Sequence, residues 1–178
     1  NPGDIEFDIF IKEVQKEMTV KAGQKCTAIR RIIVPANKVE DVQIALGKRL
    51  AKTTLGDPSV EGVRMGSLAG LEQREEVKEK VLELSKSQEI VYGDLNHFDV
   101  LGADKEKGAF LAPILFLNDD PFTKTDCHNI EAFGPVSTIM PYKNIDEAIE
   151  LAKMGKGSLV CSIITADNSI AKEFVMGA

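Results

Sequence analysis

Residues 21–35 read KAGQKCTAIRRIIVP, and three kinds of local structure meet in that stretch. Ala22-Gly23 ends an amphipathic run, because glycine accepts the left-handed geometry that a C-terminal helix cap needs. Gly23-Gln24-Lys25 is a polar turn. Arg31 to Pro35 is a short β-branched run and reads as a buried strand. A helix, a turn bearing a thiol and a strand, in that order, form one step of an alternating α/β chain.

The neighbouring segments repeat the step. Phe7, Phe10, Ile11, Val14 and Met18 recur at helical spacing before the turn, on a helix that Asp4 can cap. After the strand, Val39, Val42, Leu46 and Leu50 predict a second helix, closed by Gly56-Asp57-Pro58. Glu61 to Gly70, with three glycines, reads as a loop. Val77, Val81 and Leu84 mark a third helix, and Glu89 to Tyr92 a short strand. Ala109 to Leu117 is mostly apolar, but Pro113 restricts it to an edge strand or a bulge. Val136 to Tyr142 is a further strand. Asn144 caps a helix bearing Ile145, Ala148, Ile149 and Ala152, with Glu147 placed for a capping box. Leu159 to Thr165 is a central-strand candidate and Ile170 to Met176 starts a last helix. Short apolar strands alternating with amphipathic helices predict an α/β fold, a mainly parallel sheet with helices on both faces.

At 178 residues the chain suffices for one well-buried core, so residues 1–178 are expected to form a single domain. A net charge of −6 argues against nucleic acid, whose phosphates demand a basic face. No stretch approaches the roughly 20 apolar residues of a membrane span. The three cysteines lack the spacing of a disulfide framework, which predicts a reducing, cytoplasmic home. With His97 and His128 the only histidines and no Cys-x-x-Cys, no metal site is expected.

Cys26 admits two readings. Free cysteine is among the most buried residue types, so it can be a small core hydrophobe. Against that, Lys25, Arg30 and Arg31 surround it with positive charge that favours thiolate. If a helical turn begins at Thr27, its free N–H groups stabilise an anion and can donate to an oxyanion formed when sulfur attacks a carbonyl. Cys161, inside LVCSII, reads as a shielded structural residue. Cys127 and His128 are adjacent in sequence, which points their side chains apart and argues against a dyad.

The segment AGQKCTAIRRIIVP resembles the nucleophile segment of the aldehyde dehydrogenase superfamily, where Gly-Gln-x-Cys is followed four residues later by arginine. The matching positions are Gly23, Gln24, Cys26 and Arg30. EAFGPV, Glu131 to Val136, resembles the family's Glu-x-Phe-Gly-Pro-Val segment. Gly56-Asp57-Pro58, Met65-Gly66 with Leu68, Pro113, and DEAIELA from Asp146 to Ala152 follow in family order. A narrower likeness, carried by residues 6–35 and by GDPSVEGVRMGSLA, is to the dehydrogenase half of the bifunctional phenylacetate-degradation proteins (PaaZ- and PaaN-like).

The resemblance implies a Rossmann-related three-layer catalytic domain and oxidation of an aldehyde, in the narrower group a CoA-linked semialdehyde. It implies Cys26 as nucleophile, passing through a thiohemiacetal and a thioester. Glu131 would then accept hydrogen bonds from the nicotinamide ribose and Phe133 would pack beside the ring. The implied cofactor is NADP, or NAD, with no metal. The implied partners are the aldehyde, the dinucleotide and the remainder of a longer parent chain, fused in the narrower group to a hydratase-like domain and assembled as a homo-oligomer.

The family's dinucleotide-binding domain, its general-base glutamate, the asparagine of its oxyanion hole and its oligomerisation strand have no counterpart here. GKGSLV, Gly155 to Val160, lacks a third glycine and leads into a strand, so it is not a phosphate-binding turn. A catalytic-domain fragment of a larger dehydrogenase, inactive alone, is therefore expected. Two alternatives stay open: a CoA-acylating relative in which CoA cleaves the thioester, and a binding or assembly module in which Cys26 is inert.

Overall fold

The computed structural model describes all residues, Asn1–Ala178. The predicted helical stripes become two layers around a sheet. Helix α1 (Ile5–Thr19) turns Ile11, Val14 and Met18 inward, and α2 (Val39–Leu50) turns Val42, Leu46 and Leu50 inward. Both pack on Ile32, Val34, Leu115 and Ile139. Against the opposite face, α3 (Leu71–Leu84) lays Val77, Val81 and Leu84 over Ile114, Phe116 and Val136. Helix α5 (Ile145–Lys153) covers the same face near Met140 and Ile33, and α6 (Asn168–Gly177) packs Phe174 on Ala148 and Ile149. Side chains alternate across a strand, so neighbours such as Phe116 and Leu115 serve the two layers separately. Each buried aliphatic or aromatic side chain contributes about 1.5–3 kcal/mol, which anchors the helices to the sheet.

The sheet has four strands in the order β1-β4-β3-β2: β1 (Arg31–Pro35), β2 (Glu89–Tyr92), β3 (Ile114–Leu117) and β4 (Val136–Tyr142). β1 runs parallel to β4, with Arg31 opposite Thr138, and β3 runs parallel to β4, with Ile114 opposite Val136. β2 is antiparallel to β3, and its register shifts between Ile90 and Tyr92. The sheet is mainly parallel with helices on both faces, as expected. A four-residue helix, α4 (Asp126–Asn129), precedes the entry to β4.

Three expectations need correction. The strand after Pro113 is central, not an edge, because the ladder starts at Ile114 and leaves the proline outside it. Asp4 stands at the N-cap position of α1, but its side chain makes no capping hydrogen bond. Residues 159–165 form no strand. No neighbouring strand pairs with them, and backbone groups without a ladder must stay within reach of water. Leu159 is 70% exposed and Cys161 is exposed rather than shielded. Ile163 packs inward, against the cluster around Phe174.

The cap predicted for α5 forms. Asn144 Oδ1 accepts from the Glu147 N–H at 3.0 Å, while the Glu147 carboxylate accepts from the Lys143 N–H at 2.7 Å.

Candidate active site

β1 and β4 are parallel neighbours, so the loops that lead into them lie side by side at the amino end of the sheet. One loop carries Cys26 and the other carries Glu131 and Phe133. Topology therefore closes a gap of about 100 residues that no local pattern bridges.

The first loop is strained before it reaches the thiol. Lys21, Ala22 and Gly23 have φ of 54°, 51° and 71°, a left-handed run that costs about 1–2 kcal/mol for each non-glycine residue. Such a run persists only where its surroundings hold it. Ala22 is buried in the core beneath α3. The Gln24 N–H donates to Lys21 O at 3.0 Å and the Lys25 N–H to Gly23 O at 2.9 Å. Gln24 Oε1 accepts from the Ala69 N–H at 2.7 Å, tying the loop to the glycine-rich segment before α3.

Cys26 then sits exposed in a single turn closed by the Ala28 N–H on Lys25 O at 3.1 Å. No helix begins at Thr27, so the expected helix-terminus field is replaced by the few N–H groups of one turn. The expected ring of positive charge is also divided. Lys25 pairs with Glu17 at 2.6 Å. Arg31 donates to Leu151 O at 2.5 Å and to Ala152 O at 3.2 Å, at the end of α5. Arg30 alone faces both loops.

Arg30 joins them as a fork. Nη2 donates to Gly23 O at 2.7 Å and Nη1 to Gly134 O at 2.9 Å. Its guanidinium carbon lies 5.2 Å from the centre of the Phe133 ring, within cation–π range. Nε is buried without a hydrogen-bond partner, and the nearest carboxylate oxygen, Glu131 Oε1, is 3.8 Å away. Burial lowers the Arg30 pKa and the Glu131 charge opposes that shift. The loops approach so closely that a Cβ on Gly23 would lie 2.2 Å from Gly134 O.

The second loop turns the side chains of Glu131 and Phe133 outward while anchoring between them. Ala132 is buried, whereas Glu131 is exposed and Phe133 is 38% exposed. The loop thus offers an outward carboxylate, an acceptor for hydroxyl donors, beside an outward aromatic ring, a pairing compatible with the riboside of a nicotinamide. The residues present fit that group. The void behind Arg30, about 10 Å³, admits a water and nothing larger. A larger cavity of about 440 Å³ lies between Leu50, Tyr92, Phe98 and Leu101 and includes none of Cys26, Glu131 or Phe133.

Cys127 and His128 do point apart. Cys127 is buried, accepts from Asn118 Nδ2 at 3.2 Å, and burial raises its pKa. His128 Nε2 donates to Pro121 O at 2.8 Å, which leaves Nδ1 to accept from Arg31 at 3.3 Å. No group of three metal-ligating side chains is present. Sequence reading missed the clamp of Gln24 on Ala69 and the fork of Arg30. The paired glycines of GQKC and FGPV hint at close approach, but nothing local says that they approach each other.

The profile of the Aldehyde dehydrogenase family matches residues 3–177. The chain is 40% identical over 176 residues to 3,4-dehydroadipyl-CoA semialdehyde dehydrogenase of Aromatoleum evansii, covering 99% of this chain and 34% of that protein. It is 40% identical over 115 residues to Protein MaoC of Klebsiella aerogenes, covering 64% of this chain and 32% of that one. Among solved structures, betaine aldehyde dehydrogenase of Staphylococcus aureus, determined with NAD+ and a BME-modified cysteine, superposes with a TM-score of 0.85. That match has 24% identity and covers 96% of this chain and 34% of that one. The chain thus spans about a third of the length of the relatives it matches.

Proposed function

The chain belongs to the aldehyde dehydrogenase family, and from that premise we propose that it is the nucleophile-bearing catalytic domain of a longer NAD(P)-dependent enzyme. The substrate we assign is a CoA-linked semialdehyde of aromatic-compound breakdown, with NADP or NAD as acceptor. The substrate class is supported by the 40% identity to a dehydroadipyl-CoA semialdehyde dehydrogenase. The reading rests above all on one observation: Arg30 bonds the loop that carries the exposed Cys26 to the loop that carries an outward carboxylate and an outward ring.

In this mechanism the Cys26 thiolate adds to the aldehyde carbon, and the C=O π pair moves to oxygen. The backbone N–H of Cys26 and its turn donate to that oxyanion. A nicotinamide dinucleotide, when bound at this face, would supply the acceptor for the aldehyde hydrogen and its bonding electron pair; Glu131 would accept from its ribose hydroxyls and Phe133 would wall the ring. The C=O re-forms as a Cys26 thioester. Water then adds to the acyl carbon and the thiolate leaves, giving the acid and a proton. The proton acceptor for that water is assigned to the remainder of the protein.

Cys26 is exposed and lines neither the void behind Arg30 nor the 440 Å³ cavity. The 178-residue chain alone is therefore expected to oxidise no aldehyde, while the full-length protein does and Cys26→Ala abolishes it. The test follows reduced-dinucleotide absorbance with a CoA-linked semialdehyde; turnover by Cys26→Ala in the full-length protein defeats the assignment. Free acid as product supports hydrolysis, and acyl-CoA formation from added CoA moves the protein to the acylating type. The three cysteines are unpaired, which fits the reducing cytoplasm assigned to it. No helix is long and apolar enough to cross a membrane.

A further inference from the structure

We propose that Arg30 is a positioning residue that sets the nucleophile turn and the Glu131–Phe133 wall in fixed relation; the proposal rests on the assignment of those three residues above. Four observations converge on it. The fork of Arg30 takes one carbonyl from each loop, Gly23 O at 2.7 Å and Gly134 O at 2.9 Å. Gly23 is the last residue of the left-handed run, three positions before the sulfur, so its carbonyl is where the strain of that run is held. The Phe133 ring rests against the guanidinium. Glu131 Oε1 stands 3.8 Å from Nε, within electrostatic range and beyond a hydrogen bond.

The last distance matters for function. A carboxylate bonded to Arg30 would have an oxygen occupied. At 3.8 Å, with the Glu131 side chain 63% exposed, the carboxylate is restrained by charge while both oxygens remain open to other donors. Arg30 thus orients Glu131 without occupying its oxygens. A lysine cannot reproduce this: its single ammonium has no planar fork to span two carbonyls and no flat face for the ring. Displacing reacting groups by about 1 Å can cost on the order of a hundredfold in rate, and that is the effect expected of residue 30.

The control is Arg74, whose side chain is 18% exposed against 17% for Arg30. Arg74 also donates to a loop carbonyl, Gly108 O, but does not bond either loop of the site. The experiment compares Arg30→Lys, Arg30→Gln, Arg30→Ala and Arg74→Lys in the full-length protein. It reads kcat, aldehyde KM, dinucleotide affinity by fluorescence titration, and thermal midpoint. Expected for Arg30→Lys are a loss of about a hundredfold in kcat, an aldehyde KM within about threefold, and dinucleotide binding weakened by about tenfold, or ~1.4 kcal/mol. Arg74→Lys shares any loss of thermal midpoint and keeps the kinetic constants. Guanidinium added to Arg30→Ala restores part of kcat. A folded Arg30→Lys with kcat and dinucleotide affinity within twofold of the parent overturns the proposal, as does an equal kinetic loss in Arg74→Lys. If Arg30→Lys does not fold, Arg30→Gln is read by the same criteria. Failure of the underlying assignment is a separate result, turnover by Cys26→Ala.

Discussion

Gly23 shows how much one residue carries in this site. Its φ of 71° lies in the left-handed region, and a Cβ there would meet Gly134 O at 2.2 Å. Gly62 has a φ of 90° with no atom within 4 Å of the same point, so it isolates the conformational cost. Gly62→Ala is expected to lose about 1–2 kcal/mol, and Gly23→Ala more, because the clash forces the two loops apart. Urea midpoints of the two variants check this; equal losses would mean that the loops can separate without cost. The glycine was legible in the sequence as a helix cap. Its contact with Gly134 was not, because close approach depends on a loop more than 100 residues away.

Among the elements, α5 is one whose start the sequence specifies locally, as the Asp167 side chain also does for α6. Asn144 accepts from the Glu147 N–H, and Ala148 and Ile149 face the core. Asn144→Ala is expected to cost about 1 kcal/mol, measured as a lowered urea midpoint with an unchanged slope. α1 illustrates the opposite case, since its stripe was readable while the cap expected of Asp4 does not form. Residues 159–165 carry strand composition, yet composition cannot supply a neighbour, and a strand without a ladder is not one. Pro113 erred in the other direction: it marks the start of β3 and does not banish it to an edge.

Over the whole molecule, stability against pH is tied to a junction of four segments. His128 of α4 donates to Pro121 O and accepts from Arg31 of β1, and Arg31 reaches the end of α5. Burial holds the His128 pKa below its ordinary 6.5; the bond to Pro121 opposes that shift, and Arg31 and Lys156 add to it. The unfolded chain therefore binds a proton near pH 6.5 that the folded chain refuses. The stability is present above that pH and is lost as pH falls through it, before the carboxylates titrate. His128→Gln is expected to flatten the fall in urea midpoint between about pH 7.5 and 5.5; an unchanged slope would assign the fall to other groups. Periodicity and turn chemistry alone determined α1, α2, α3, α5 and α6, the strands β1, β2 and β4, and the alternating class, because those signals are local and lie along the chain. Motif order alone pointed to Cys26, Glu131 and Phe133. Only the tertiary structure decided that β1 and β4 lie side by side, that Arg30 spans their entry loops, and that Cys161 is exposed. Those facts depend on which distant segments become neighbours, and no window of sequence contains both partners.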